Sequence, residues 1–366
     1  MRILVVEDDR DASELITEAL RCAGFTNTQV AVSGRDALEH LNGAEEPFDS
    51  VLLDIQIPEM DGIAILRNIR EREEYKTTPI MMVTAMSQQS YIDKSFSYGA
   101  SDYLIKPFNI EEMIQRLQQL KKRIHETSKD RQQFHGADDL IRMFKDDYSF
   151  DYDEPLPLSD VPNMLDYTAF ENYVLQLGRM RLLTSSILAI KISDRSREFA
   201  GIDKTGFTAL LRDGAHAISD CSGAGKTRIS YRGAGLFLCL RRSLFRLSTY
   251  DLEQHLERRL GKYTTMIGGD NALVFAASEE VPLRRASRTG MLSLLHGVIE
   301  EAEAKTAERQ NRGSLPRSFL SAQRQSAEQR KLKKRSYKML LNEILMDESG
   351  QDRLMVEDAQ TRRLTR

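Results

Sequence analysis

Cysteine is scarce in this chain of 366 residues. Cys22, Cys221 and Cys239 stand far apart without a C-x-x-C pair, which excludes a disulfide scaffold and suits a reducing compartment. His40, His125, His135, His216, His255 and His296 form no H-E-x-x-H and take no zinc spacing with the cysteines, so zinc hydrolysis is excluded as well. Long apolar runs are missing. The longest uncharged stretch, Thr77–Ile92, is broken by Thr, Ser, Gln and Pro79, and no run approaches the roughly 18 apolar residues that span a bilayer. Arg2 and Glu7 flank Ile3-Leu4-Val5-Val6 where a signal peptide would need a longer apolar core and a cleavage site. An excess of one charge is also absent. With 52 basic and 55 acidic side chains the formal net charge is −3, so no global field draws the chain to nucleic acid or a membrane. A cytoplasmic protein is expected, with neither of these as partner.

At roughly 100–200 residues per domain, the length calls for two or three domains. Ile3–Val6, Val30–Val32, Ser50–Leu53, Pro79–Val83 and Asp102–Ile105 are short, apolar or β-branched, and most end abruptly at polar residues. Between them the apolar residues take helical spacing, as in Leu15, Ile16, Ala19 and Leu20, or Ile63, Leu66 and Ile69. Ser33 is placed to cap the helix carrying Ala37, Leu38 and Leu41. Strand then helix, five times over, predicts a doubly wound, five-stranded parallel sheet over residues 1–125.

The last of these helices begins near Asn109 and is expected to continue past the domain edge. Asp146, Asp147, Asp151, Asp153, Glu154, Pro155, Pro157 and Pro162 then mark a change of character, so 126–163 reads as a helical extension and an acidic, proline-bearing linker. A second α/β domain is expected over 164–313, with a helix at Phe170–Leu177, strands at Ser186–Ile192 and Leu236–Leu240, and a helix at Asp251–Leu260. Residues 314–366 form a basic, helical tail. Arg324–Lys338 carries seven basic residues against Glu328 alone, and Tyr337, Leu340, Leu341, Ile344 and Leu345 make one apolar stripe.

In an open parallel sheet, ligands bind beyond the carboxyl ends of the strands. Those ends here carry Glu7 and Asp8, Asp54, Thr84 and Lys106. Carboxylates converging on one crevice repel unless a cation neutralises them, and a hard divalent ion, most simply Mg²⁺, is the expected answer. A lysine and a hydroxyl on the same rim are the groups that hold a phosphoryl anion. The set points to an aspartate that accepts a phosphoryl group.

The stretches Ile3-Leu4-Val5-Val6-Glu7-Asp8-Asp9, Leu52-Leu53-Asp54-Ile55-Gln56-Ile57-Pro58-Glu59-Met60-Asp61-Gly62, Val83-Thr84-Ala85 and Gly99-Ala100-Ser101-Asp102-Tyr103-Leu104-Ile105-Lys106-Pro107-Phe108 resemble the receiver domain of two-component response regulators. The resemblance implies a flavodoxin-like fold with Asp54 as phosphoacceptor. Mg²⁺ would be held by Glu7, Asp8, Asp54 and the backbone carbonyl of Gln56. Thr84 and Lys106 would bind the phosphoryl group, and Tyr103 would be the aromatic that swings inward on activation. The implied partners are a histidine kinase or phosphotransfer protein, a downstream protein, and a second copy joined through the receiver. No helix-turn-helix pattern follows, so transcriptional output is not expected.

Two strings in the second region carry less. Ser222-Gly223-Ala224-Gly225-Lys226-Thr227 resembles the end of a phosphate-binding loop, but the required earlier glycine is Asp220. Region 164–313 resembles a worn GGDEF domain of diguanylate cyclases, which implies a palm-like antiparallel sheet with helices. Ile187–Ile192 would be its first strand, Arg232-Gly233-Ala234-Gly235-Leu236-Phe237 its signature hairpin, Thr264-Thr265-Met266-Ile267-Gly268 a later strand, and Glu303-Ala304-Lys305 with Asn311-Arg312 its last helix. The acids that hold metal and substrate in that family correspond to Lys191, Ser193, Gly235 and Leu236. The family's inhibitory product site corresponds to Ala224 and Thr227. Gly268-Gly269-Asp270-Asn271 lies too far downstream to be the signature. Without acidic ligands a two-metal site cannot clamp its ions, so output through protein contact, not catalysis, is expected. The alternative is an active or GTP-binding diguanylate cyclase that makes cyclic di-GMP.

Overall fold

A computed structural model describes residues 1–119 and, with short interruptions, 156–311; positions 157, 159–160, 195–198, 200–201, 224–226, 244, 268–272, 285 and 287 are not described. The expected extension beyond 119, most of the acidic linker, Ala224 and the 314–366 tail therefore lie outside the described residues.

The first domain has β1 (Arg2–Val6), β2 (Asn27–Ala31), β3 (Ser50–Leu53), β4 (Ile80–Thr84) and β5 (Asp102–Ile105), all parallel, in the order β2-β1-β3-β4-β5. Between them run α1 (Arg10–Cys22), α2 (Gly34–Gly43), α3 (Gly62–Arg70) and α4 (Gln89–Ser97), and α5 follows at 110–119. This is the doubly wound sheet that the alternating pattern predicts. The strands β1, β3 and β4 are buried on both faces, which is why they read as largely apolar runs. Ile3, Val5, Leu52, Met81 and Leu104 pack with Ile16 and Leu20, while Leu4, Val6, Leu53, Met82 and Tyr103 face Leu66, Ile69 and Phe96. Ser33 caps α2 as expected, accepting from the Asp36 amide at 3.2 Å. The strand order turns back at β1, so the crevice beyond β1 and β3 is the switch point where this fold places ligands.

The second domain has a different plan. It comprises β6 (Met164–Leu165), α6 (Tyr167–Leu175), α7 (Arg179–Thr184), β7 (Ser185–Asp194), α8 (Lys204–Ser222), β8 (Thr227–Gly233), β9 (Leu236–Arg242), α9 (Thr249–Ile267), β10 (Leu273–Ala277), β11 (Val281–Pro282) and α10 (Arg288–Asn311). The sheet runs β10-β7-β9-β8-β6 with β11 on β7, and every pairing except β6–β8 is antiparallel. From β7 to β10 the chain follows β-α-β-β-α-β, a split βαβ arrangement. Side-chain alternation sorts the two faces. Leu188, Ile190, Phe237 and Cys239 pack under α8 and α9, together with Leu158 and Val161. Ile187, Ala189, Leu236 and Leu238 pack under α6 and α10.

One expectation fails here. Thr264–Ile267 closes α9 and does not form a strand; the strand of that region is Leu273–Ala277. Leu252, Leu256, Leu260 and Tyr263 are buried at helical spacing, and this stripe keeps the chain helical through the two threonines. Gly268–Asn271 lies outside the described residues. The phosphate-loop look-alike follows α8 and precedes β8, the reverse of the strand-to-helix order that such a loop needs.

Candidate functional site

Backbone pairing continues beyond the strands and brings the chemistry together. The Glu7 amide bonds the Ala31 carbonyl at 3.0 Å, and the Asp54 amide bonds the Val6 carbonyl at 3.0 Å. The Lys106 amide bonds the Thr84 carbonyl at 2.8 Å, which seats Lys106 across the same crevice. Asp9 is spent on capping α1, accepting from the Asp11 and Ala12 amides at 2.9 and 3.1 Å, and this leaves Glu7 and Asp8 to the site. Gly62 closes the β3–α3 loop against the acceptor: a Cβ there would lie 2.0 Å from the Asp54 carbonyl oxygen.

Lys106 is the centre. Its ammonium donates to Glu7 Oε2 at 2.6 Å and to Asp54 Oδ2 at 2.7 Å. Both carboxylates are deeply buried, Glu7 at 2% and Asp54 at 6% exposure. Burial pushes the Glu7 carboxyl above its usual range, and Lys106 offsets part of that. For Lys106 burial alone would lower the ammonium, yet hydrogen bonds and charge from Asp54 and Glu7 outweigh it and hold the group above its ordinary value. The second oxygen of Asp54 accepts from the Gln56 amide at 3.1 Å. Thr84 is fully buried, and its hydroxyl accepts from the Met86 amide at 3.3 Å. Tyr103 is already inside: it is fully buried, and its hydroxyl donates to the Met86 carbonyl at 2.5 Å. Burial, with Asp54 nearby, raises its phenol.

The donor set suits a hard divalent ion. Glu7, Asp8, Asp54 and the Gln56 carbonyl offer oxygen only, and one ammonium against three carboxylates leaves negative charge over. As they stand, no three acidic, histidine or cysteine side chains among the described residues are gathered into a metal-holding cluster.

Because the folded protein holds Glu7 protonated more readily than the unfolded chain, its ionised form is destabilising above the raised pKa, and this vanishes as pH falls below the usual glutamate value of 4.5. Glu7→Gln is therefore expected to raise the melting temperature of metal-free protein at pH 7 and to lose that gain at pH 4. An equal gain at both values in thermal melts would assign the effect to shape, not charge.

A five-stranded doubly wound domain with buried acids and a lysine at its strand ends is the arrangement of a phosphoryl-accepting signalling domain. The response regulator receiver domain family matches residues 3–118. The chain is 36% identical over 124 residues to the chemotaxis protein CheY-3 of Vibrio cholerae serotype O1, spanning 34% of this chain and 94% of that protein. It is 34% identical over 139 residues to the transcriptional regulatory protein CpxR of Escherichia coli, spanning 38% of this chain and 57% of that one. Among solved structures, the chemotaxis response regulator CheY4 of Vibrio cholerae aligns with 30% identity over 32% of this chain and 97% of that one, with a TM-score of 0.31. Through its N-terminal third the chain belongs to the response regulator receiver family.

The second domain's candidate positions are occupied differently from an acidic metal site. The Lys191 ammonium donates to the Ala234 carbonyl of the hairpin. Ser193 Oγ donates to the Asp194 carbonyl at 3.2 Å, and Gln310 Nε2 donates to Ser193 Oγ at 3.0 Å. Gly233, Ala234 and Gly235 all have positive φ, at 103°, 52° and 70°. A Cβ on Gly235 would lie 2.0 Å from the Ile192 carbonyl oxygen. Leu236 and Phe237 are buried in the two opposite faces of the sheet, and Thr227 is buried with its hydroxyl on the Ser222 carbonyl at 3.0 Å.

The sequence reading missed Met86, Asp93, Tyr173, Gln176 and Arg181. Met86 reaches Thr84 and Tyr103 through its backbone, and the other four make contacts across the domain boundary, so no local signal marks them.

Proposed function

We propose that the chain is a response regulator that takes a phosphoryl group onto Asp54 from a histidine kinase or phosphotransfer protein and delivers its output through protein contact by the second domain. The observation that carries the first half is Lys106 bridging Glu7 and Asp54 at the ends of β1 and β3. An Asp54 oxygen attacks phosphorus, the donor's P–N bond breaks, and an acyl phosphate remains on Asp54. Glu7, Asp8, Asp54 and the Gln56 carbonyl would hold Mg²⁺, which supplies neutralising charge for the transfer. Lys106 is then free to pair with a phosphoryl oxygen, and the Thr84 hydroxyl is placed to bond another. That shift releases the Met86 amide from Thr84 and so reaches Tyr103 through the Met86 carbonyl.

The second half is supported by Lys191. Its positive charge stands where the cyclase resemblance needs an acid, and it already holds the hairpin carbonyl. The antiparallel order and the Gly233–Gly235 hairpin support kinship with the palm of a cyclase, and the side chains argue against its reaction. Purified full-length protein supplied with GTP and Mg²⁺ is expected to form no cyclic di-GMP. Measurable product, abolished by mutation within 233–237, would overturn this half.

Lys106→Ala tests the first half separately from the acceptor itself. The variant is expected to take up the phosphoryl group from acetyl phosphate but to answer it poorly, since nothing pairs with the new charge. Hydrogen exchange across residues 84–105, with and without the donor, reads the difference. A variant showing the full wild-type change would contradict the role given to Lys106.

A further inference from the structure

Among the described residues β10 is an outer strand of the second sheet, paired with β7 on one side. Its sequence, Leu273-Val274-Phe275-Ala276-Ala277, carries no charge and no proline, the residues that ordinarily keep an edge from pairing with another chain. The Ser278 amide donates to the Ala189 carbonyl at 2.8 Å. By the alternation of an antiparallel ladder, residues 274, 276 and 278 therefore turn their backbone groups to β7, and 273, 275, 277 and 279 turn theirs outward.

Side chains of α9 and α10 take these outward groups in turn. The Phe275 carbonyl accepts from the Arg309 guanidinium, and the Ala277 carbonyl accepts from Lys305 Nζ at 3.2 Å. The Ala277 amide donates to Glu253 Oε1 at 2.8 Å, and the Glu279 amide donates to Glu301 Oε1 at 2.9 Å. The side chains are also tied to one another, Arg309 to Glu253 at 2.9 Å and Lys305 to Glu301 at 2.8 Å. Burial alone would raise the Glu301 carboxyl, but Lys305 and the Glu279 amide hold it below its ordinary value.

The spacing makes this possible. Glu301, Lys305 and Arg309 stand four residues apart on α10, a row that advances about 6 Å per step. They meet residues 279, 277 and 275, which advance about 6.7 Å per step along a strand. A helix running against the direction of β10 thus offers a polar group at successive outward positions, as a neighbouring strand would. Packing does not require the row, since Leu295, Val298, Ile299 and Ala302 already bury α10 against the sheet.

We propose that this row is a seal: α10, with Glu253 of α9, occupies the β10 edge as a surrogate strand, and the edge beneath fits β10 of a second copy. Two uncharged β10 strands meeting antiparallel set no like charges opposite each other, and such a self-complementary contact closes at two. Nothing in the seal involves Asp54, so it stands apart from phosphoryl transfer.

Light scattering on the full chain over a concentration series tests the seal. Glu253→Ala, Glu301→Ala, Lys305→Ala and Arg309→Ala, made together, open the edge without changing net charge. This variant is expected to reach twice the wild-type molar mass as concentration rises. Amide exchange across 273–277 is expected to slow about tenfold or more in the doubled form relative to the same variant when dilute. Lys305→Arg with Arg309→Lys keeps a donor at each place and is expected to hold the wild-type mass. Glu303→Ala, which removes an exposed charge elsewhere on α10, is expected to do the same. Where circular dichroism shows that the fourfold variant does not fold, Glu253→Ala with Arg309→Ala serves, and is expected to shift the same way to a smaller degree. A folded variant that keeps the wild-type mass at every concentration would refute the seal. Equal doubling by Glu303→Ala, doubling without slower exchange at 273–277, or a mass that rises past two would refute it as well.

Discussion

Incubated with acetyl phosphate and Mg²⁺, the wild-type chain is expected to gain a single phosphoryl group by intact mass, and Asp54→Asn is expected to gain none. The carboxamide keeps the shape of the side chain and an oxygen for Lys106 to donate to, so the fold should survive. It lacks the anionic oxygen that attacks phosphorus, and loss of a nucleophile of this kind lowers rate by more than about 10³-fold. Asp8 and Glu7 are the competing acids. Glu7 is buried beneath Lys106 and raised in pKa by that burial, which makes it a poor nucleophile. Asp8 is exposed and bears no lysine partner in the site. Labelling retained in Asp54→Asn would move the acceptor to one of these and remove the basis for the assignment. Omitting Mg²⁺ from the wild type is expected to have nearly the same effect, since Lys106 alone cannot neutralise three carboxylates and an incoming phosphoryl group.

The second large effect concerns an attempt to rebuild the cyclase acids. Gly235→Asp is expected to cost the second domain about 3 kcal/mol or more, not to create a metal ligand. Gly235 has φ 70°, and its Cβ would meet the Ile192 carbonyl oxygen at 2.0 Å. Both partners are backbone, and they are tied: the Ile192 amide donates to the Gly235 carbonyl at 2.8 Å. Neither can step aside without breaking the β7–β9 ladder. Gly223→Asp is the control, because Gly223 also has positive φ, 90°, but among the described residues no atom beyond its chain neighbours lies within 4 Å of its Cβ position. Urea melts followed by circular dichroism should show a much larger fall in midpoint for Gly235→Asp. Equal falls would show that the hairpin can relax and would reopen the catalytic reading.

The parts of the structure that lie in buried runs were legible residue by residue. Ser50–Leu53 and Asp102–Ile105 sit where the pattern puts them, because buried strands are apolar over most of their length. The edge strand was harder: β2 is Asn27–Ala31, largely polar and half-exposed, so the apolar pair Val30 and Val32 drew the boundary too late, and Val32 stands 59% exposed. The acceptor set was legible because Glu7, Asp54, Thr84 and Lys106 stand at strand ends, where composition changes sharply. Thr264–Gly268 misled because the resemblance laid a strand over the end of a helical stripe, Leu252, Leu256, Leu260 and Tyr263, that begins well before it. The Asp93–Arg181 ion pair left no trace in the sequence, since each residue alone is an ordinary charge on a helix and only the tertiary fold pairs them.

The apolar cluster runs unbroken from Ile69, Phe96 and Tyr103 through Phe170, Tyr173 and Val174 to Ile187, Leu238 and Val298. Receivers are often pictured as interchangeable cassettes joined to their effectors by string, and recombination at the linker would then be harmless. Here the two halves have complementary surfaces that must be inherited together. A gene fusion at 126–163 that exchanged only the first half would set an unfamiliar α4 against Phe170, Tyr173 and Val174, leaving their apolar area wet and Arg181 without its acid. The unit on which such a shuffle can act without damage is the receiver together with the whole of the second domain, because α6 also covers that domain's sheet.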